Sequence, residues 1–269
     1  LIAILTALYT RYYVERLLST ILPNVNIYVF LITMLFTVAL VMRKGMVVLA
    51  RMSEIFFSVI LILFLFTVVI SIPTIKPNNL FPISRLDIMP LVTSSIGVIG
   101  IWVYMLFPFF FGDIIKNKEH IATRALQTYG LAAILTSALL VVTIGIFGAD
   151  LVKIIPIPYL ATVKQISLFD VIERIESFIV SVWTLSDFVI ISVFIYIVLS
   201  MIKHLFKLSD TRPLVSIYTF IILFLSLFLS QSVFELQDLS DMIIVYVNII
   251  FGYGIPILIF AVGKIRKKV

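Results

Sequence analysis

The chain contains no cysteine, which excludes disulfides, thiolate metal sites and a cysteine nucleophile. Charge is scarce as well: Asp, Glu, Lys and Arg make up 13% of the 269 residues, whereas 62% are hydrophobic. A soluble chain of that composition lacks the polar side chains to cover its own surface. The only histidines are His120 and His204, both near basic residues in connecting segments, a poor setting for a metal. There is no P-loop, no His-Glu-x-x-His and no Gly-x-Ser-x-Gly, so the sequence offers no enzyme and implies no cofactor. The net charge of +6 would suit nucleic acid, but its distribution fits orientation in a membrane instead. Membrane lipid is an expected partner and nucleic acid is not.

What the chain does have is long apolar runs. A helix needs about 20 such residues to cross the hydrocarbon core, and seven stretches qualify: Val25–Met42, Ser53–Ile72, Met89–Phe111, Ala125–Gly148, Ser177–Ile202, Leu214–Ser230 and Met242–Val262. Leu1–Tyr9 reads as the end of an eighth. Only helices and closed barrels satisfy the backbone in hydrocarbon, and runs this uniformly apolar are helices. The expected fold is an all-α integral membrane protein, a multi-helix bundle forming a single transmembrane domain over residues 1–269. Leu1 opens inside an apolar run with no basic segment before it and no cleavage site after it. The chain is therefore expected to be incomplete at its N-terminus.

Lysine and arginine set the orientation. Thirteen of the twenty lie at Arg43–Arg51, Lys116–Arg124, Lys203–Arg212 and Lys264–Lys268. The remainder (Arg11, Arg16, Lys76, Arg85, Lys153, Lys164 and Arg174) are assigned to the opposite loops. The richer side, with the C-terminus, is expected to be cytoplasmic. Arg43 to Glu54 reads as a short amphipathic surface segment with snorkelling arginines. Gly148 to Glu176 is the longest external stretch. Its Asp170–Glu176 charge cluster reads either as a solvated helix start, with acidic groups at the positive end of the dipole, or as an external gate or partner contact.

Two spans carry polar residues. In Met89–Phe111 the run Thr93-Ser94-Ser95 is followed by Gly97 and Gly100, and Thr93, Gly97, Gly100 and Tyr104 share one face at 100° per residue. An interrupted transporter helix needs such residues, because unwinding near Ser95–Gly100 frees backbone groups to hold a solute. A small-residue face for close helix packing needs the same composition. In Ser177–Ile202, Ser181, Thr184, Asp187 and Ser192 form a polar side. Asp187 is the one carboxylate well inside a span, and it is read either as functional or as a packing group hydrogen-bonded to a neighbouring helix. No Lys or Arg falls inside the seven spans, so the sequence offers Asp187 no evident ion-pair donor. A proton, a bound cation, a hydrated cavity or a partner from missing helices would then neutralise it. On that basis Asp187 is expected to face the central cavity and hold a proton, a cation or a nutrient ammonium. Trp183, one turn earlier, reads first as core packing.

The run from Ile166 to Phe178, with Asp170-Val171-Ile172-Glu173-Arg174-Ile175-Glu176 at its centre and Val182-Trp183-Thr184-Leu185-Ser186 after it, resembles the signature of the spore germination permease family. Members are the B subunits of nutrient germinant receptors in endospore-forming bacteria. Arg43-Lys44-Gly45-Met46-Val47-Val48-Leu49-Ala50-Arg51 and Lys207-Leu208-Ser209-Asp210-Thr211-Arg212-Pro213-Leu214 are similar to other segments of that family. The resemblance implies the amino acid–polyamine–organocation transporter superfamily, with ten helices in two inverted five-helix repeats. The first two helices would then precede Leu1, and Met89–Phe111 would be the sixth, which in this superfamily is broken and shares the solute site with the first. It implies a subunit that binds a small nutrient, an amino acid or a sugar, in a transporter-like central site of the spore inner membrane. The implied partners are an A subunit and a lipoprotein C subunit. Thr93, Ser94, Ser95, Gly97, Gly100, Tyr104, Thr184 and Asp187 are the expected substrate-binding residues. The alternatives are a secondary amino-acid transporter coupled to H⁺ or Na⁺, and a scaffold subunit with a degenerate site.

Overall fold

A computed structural model describes residues 1–81, 88–112, 115, 119–155, 157–165, 175–230 and 233–266. The helices are α1 Ile2–Thr20, α2 Ile27–Lys44, α3 Met46–Ser71, α4 Ile88–Trp102, α5 Ile121–Phe147, the short α6 Ala149–Val152 and α7 Pro158–Lys164, α8 Ile175–Phe206, α9 Arg212–Phe228, α10 Val233–Met242 and α11 Ile255–Ile265. No strand occurs among the described residues. Among the described residues, five helical segments are long and apolar enough to cross a membrane: Ile27–Lys44, Met46–Thr74, Ile88–Phe111, Ile121–Phe147 and Ser177–Phe206. The last two expected spans correspond to shorter apolar helices, Arg212–Phe228 and Ile250–Ile265.

Local chemistry sets the boundaries. Asn26 caps α2, its side-chain oxygen accepting the Tyr28 N–H at 3.0 Å. α2 ends at Gly45, whose φ of +96° is a conformation that a Cβ would strain. α3 starts at once, so Arg51 and Glu54 lie on the first turns of a 26-residue helix. The expected amphipathic surface segment is therefore not a separate element. α9 opens with Pro213 in its first turn, where a missing N–H costs nothing.

The chain divides into two compact units, Leu1–Asn79 with Leu139–Leu236, and Leu80–Ala138 with Gln237–Val269. In the first, α1 packs along α8 and also meets α9 and α2; α2 packs on α9, and α3 and α7 on α8. In the second, α4 packs against Ile243–Val247, one of two π-helical segments between α10 and α11.

Burial in the first unit combines an apolar core with an inward polar set. Leu31, Val38, Ile191, Ile195 and Ile222 are fully buried, and so are Thr6, Thr10, Ser71, Ser192 and Ser226. The buried threonines of α1 bond to carbonyls one turn back, Thr6 to Ile2 at 2.7 Å and Thr10 to Thr6 at 2.7 Å. Large apolar side chains occupy the exposed faces: Phe36 is 62% exposed and Phe228 82%. Polar groups inside and bare phenylalanines outside suit a hydrocarbon solvent, in which only the protein interior can satisfy a hydroxyl.

Candidate functional site

The candidate residues divide between the two units. In the first unit, Trp183 and Asp187 stand one turn apart on α8 and so share a face. α1 lies along that helix and delivers Arg16 to both. Arg16 Nη1 donates to Asp187 Oδ2 at 2.6 Å, and the guanidinium carbon sits 4.0 Å from the centre of the Trp183 ring. Arginine suits this double contact because its planar cation can fork onto a carboxylate and stack on an aromatic face. Tyr159 of α7 meets Trp183 edge-on with ring centres 5.9 Å apart, and its hydroxyl donates to Thr67 Oγ1 at 3.3 Å. Asp187 is 4% exposed and the Arg16 side chain 14%, so the pair is nearly closed from solvent. Thr184 is half-buried and bonds to Val180 of its own helix. Ser181 is exposed, while Ser192 is buried with a hydroxyl that has no partner among the described residues.

This arrangement corrects two expectations. Arg11 and Arg16 are not loop charges: α1 continues from the apolar start through Thr20, and Arg11 is itself 7% exposed and bonded to Glu15 at 2.7 Å. Asp187 therefore has a guanidinium partner within this chain. A bare proton or cation need not be invoked to neutralise it.

The second unit treats the Thr93–Tyr104 residues differently from what the sequence predicts. α4 runs as α-helix through Ser95, Gly97 and Gly100, so the expected interruption near Ser95–Gly100 is absent. The change comes at Val103, where a 3-10 segment extends to Phe111 with Pro108 inside it. Proline has no N–H to give and its ring crowds the preceding turn, which places the irregularity there rather than at the glycines. Thr93 and Ser94 are exposed in this unit, and Thr93, Ser94 and Ser95 bond back to Met89, Pro90 and Leu91 of their own helix. A Cβ on Gly97 would meet nothing within 4 Å, so within this unit Gly97 is not the close helix contact of the packing reading. Gly100 and Tyr104 do form a site, with a residue the sequence reading did not single out. The buried Asn248 amide donates to the Gly100 carbonyl at 3.2 Å and to the Tyr104 hydroxyl at 3.3 Å. Asn248 stands between the π-helical segments Ile243–Val247 and Ile250–Gly254, and π-turns tend to mark functional positions. Its signal in the sequence was an amide in the middle of an apolar span. Most of the signature run, residues 166–174, lies outside the described residues.

Apolar helices of membrane length, five among the described residues, define a multi-pass membrane protein. Residues 2–234 match the family described as "Spore germination protein". The chain belongs to that spore germination permease family. It is 23% identical over 237 residues to spore germination protein KB of Bacillus subtilis, covering 84% of this chain and 62% of that protein. To spore germination protein A2 of Bacillus subtilis it is 25% identical over 213 residues, covering 77% of this chain and 57% of the relative. The chain thus spans less than two thirds of the length of these relatives. No solved structure gives a significant match.

Proposed function

We propose that this chain is the nutrient-sensing membrane subunit of a spore germinant receptor, and that a small nutrient acts at Arg16 and Asp187. The observation that carries the reading is the enclosed ion pair. Two charges largely withdrawn from water contribute little stability over an apolar filling of the same volume, and ionisable groups inside membranes mark functional sites by default. An amino acid brings a carboxylate that matches the Arg16 guanidinium and an ammonium that matches Asp187; a sugar brings hydroxyls for both. Trp183 and Tyr159 offer apolar faces beside them. Thr184 belongs to the proposal through the polar side of its helix, and Tyr104 through the face it shares with Thr93, Gly97 and Gly100; Thr93, Ser94, Ser95, Gly97 and Gly100 belong to it through the family resemblance. So do an A-subunit and a lipoprotein C-subunit partner, and a place in the spore inner membrane.

The test replaces both charges without leaving either alone. Spores carrying Arg16→Met/Asp187→Leu in an otherwise intact receptor are expected to hold normal amounts of the protein while nutrient sensitivity falls at least 100-fold. An unchanged dose–response would reduce the pair to a packing element. The second reading, a transporter of amino acids coupled to H⁺ or Na⁺, draws on Asp187 as an intramembrane carboxylate. Saturable uptake of labelled amino acid into proteoliposomes, lost in the stable Arg16→Met/Asp187→Leu variant, would favour it.

The cytoplasmic C-terminus is proposed on charge. With Arg11 and Arg16 removed from the loops, the poorer side keeps Lys76, Arg85, Lys153, Lys164 and Arg174, so the asymmetry sharpens. The cysteine-free background makes this measurable. A cysteine at position 207 should resist an impermeant thiol reagent added outside intact cells, and one at position 237 should react. The opposite pattern inverts the topology.

A further inference from the structure

α2 and α9 run antiparallel, because Arg43 near the end of one bonds to Ser216 near the start of the other. Between them lies an open groove of about 240 Å³. Its apolar walls include Ile32, Phe36 and Leu40 from α2 and Phe220 and Leu223 from α9. At a rise of 1.5 Å per residue, the trough from Ile32 to Arg43 is roughly 16 Å long. Arg43 is the charged residue of its lining and stands at one end. Its Nη2 donates to Ser216 Oγ, which fixes the guanidinium and leaves its other N–H groups available. Among the described residues no carboxylate pairs with Arg43. Lys44 and Arg212 add positive charge at the same helix ends, and Asp210 is engaged with the Arg212 backbone N–H at 3.1 Å.

Bulk lipid covers any exposed apolar face. This groove differs in being concave and in ending on a fixed guanidinium whose planar fork matches a phosphate. An apolar trough headed by a guanidinium without a carboxylate partner among the described residues is complementary to an anionic amphiphile. We propose that the α2–α9 groove is a binding site for one anionic phospholipid, its phosphate on Arg43 and an acyl chain lying along Phe36 and Phe220. The site is independent of the nutrient reading and uses none of its residues.

The test is native mass spectrometry of the purified chain, incubated in mixed micelles with phosphatidylglycerol or phosphatidylcholine. The wild type should retain one phosphatidylglycerol at least tenfold more strongly than phosphatidylcholine. Arg43→Gln should remove that preference, Arg43→Lys should keep most of it, and Ala39→Trp, which fills the trough, should lower retention of the lipid. Circular dichroism confirms that each variant keeps its helices. Equal retention of the two lipids, or a preference untouched by Arg43→Gln, overturns the proposal. So does glycerol phosphate competing as well as the intact lipid, which would make the site one for a soluble anion. A partner's transmembrane helix is the competing occupant: Ala39→Trp disrupting receptor assembly with lipid retention unchanged would identify it and overturn the lipid.

Discussion

Asp187→Asn is expected to lower the stability of the first unit by about 3–5 kcal/mol, the usual consequence of leaving one member of a buried ion pair behind. Asparagine keeps the shape of the side chain and one acceptor oxygen, but Arg16 would retain its full charge in a site that is nearly closed: its side chain is 14% exposed and that of Asp187 6%. Arg16→Met alone should destabilise similarly, because it isolates the carboxylate. The double variant Arg16→Met/Asp187→Leu should recover most of the stability, since no charge remains to be solvated. The measurement is the thermal midpoint of helix loss in detergent for the wild type, both singles and the double. A single variant that melts with the wild type would show that the pair does not hold α1 to α8. If the double melts as low as the singles, shape rather than charge holds the helices together.

In the second unit, Gly252→Leu is expected to be at least as disruptive. A Cβ built on Gly252 would overlap both methyl groups of Val103, standing only 2.7 Å from Cγ2 and 3.0 Å from Cβ. Valine is stiff at χ1, so those methyls cannot swing aside. Even Gly252→Ala should cost about 1–3 kcal/mol by overpacking, and leucine adds three further carbons in the same place. The backbone must then move, and it carries Asn248 one turn earlier, whose amide holds Gly100 and Tyr104. Val103→Ala should rescue Gly252→Ala by vacating the occupied volume. A double-mutant cycle read by thermal midpoint would give a coupling of about 1 kcal/mol or more for residues in direct contact. Additive effects would place the strain elsewhere in the π-helical segment.

The spans were legible because uninterrupted apolar length is a strong signal that survives ignorance of everything else. Val25–Met42 and Ser177–Ile202 fall within a few residues of α2 and α8. The ion pair was not legible, because the apolar run that starts at Leu1 ends where Thr10-Arg11 begins, and charge was read as loop. Helical periodicity carried the missing information: Thr6, Thr10, Tyr13, Val14 and Leu17 recur every three or four residues and all are buried, and Arg11–Glu15 has the i,i+4 spacing of a helical pair. For the candidate site in α4, glycine and hydroxyl content pointed to a break that proline, five residues beyond Val103, placed later. Composition says that a helix is interruptible; the missing N–H says where.

The polar face of α1 also bears on how the protein is made. The partner that neutralises Arg16 lies 171 residues further along the chain. At roughly 5–20 residues per second, translation takes on the order of 10–30 s to produce it. Throughout that interval α1 presents a guanidinium without its counter-charge, and a lone arginine opposes insertion, by about 2.5–3.5 kcal/mol at a helix centre and by less towards its end. Stable seating of α1 in the bilayer is thereby coupled to the arrival of α8, so that a helix made well before its partner settles only with it.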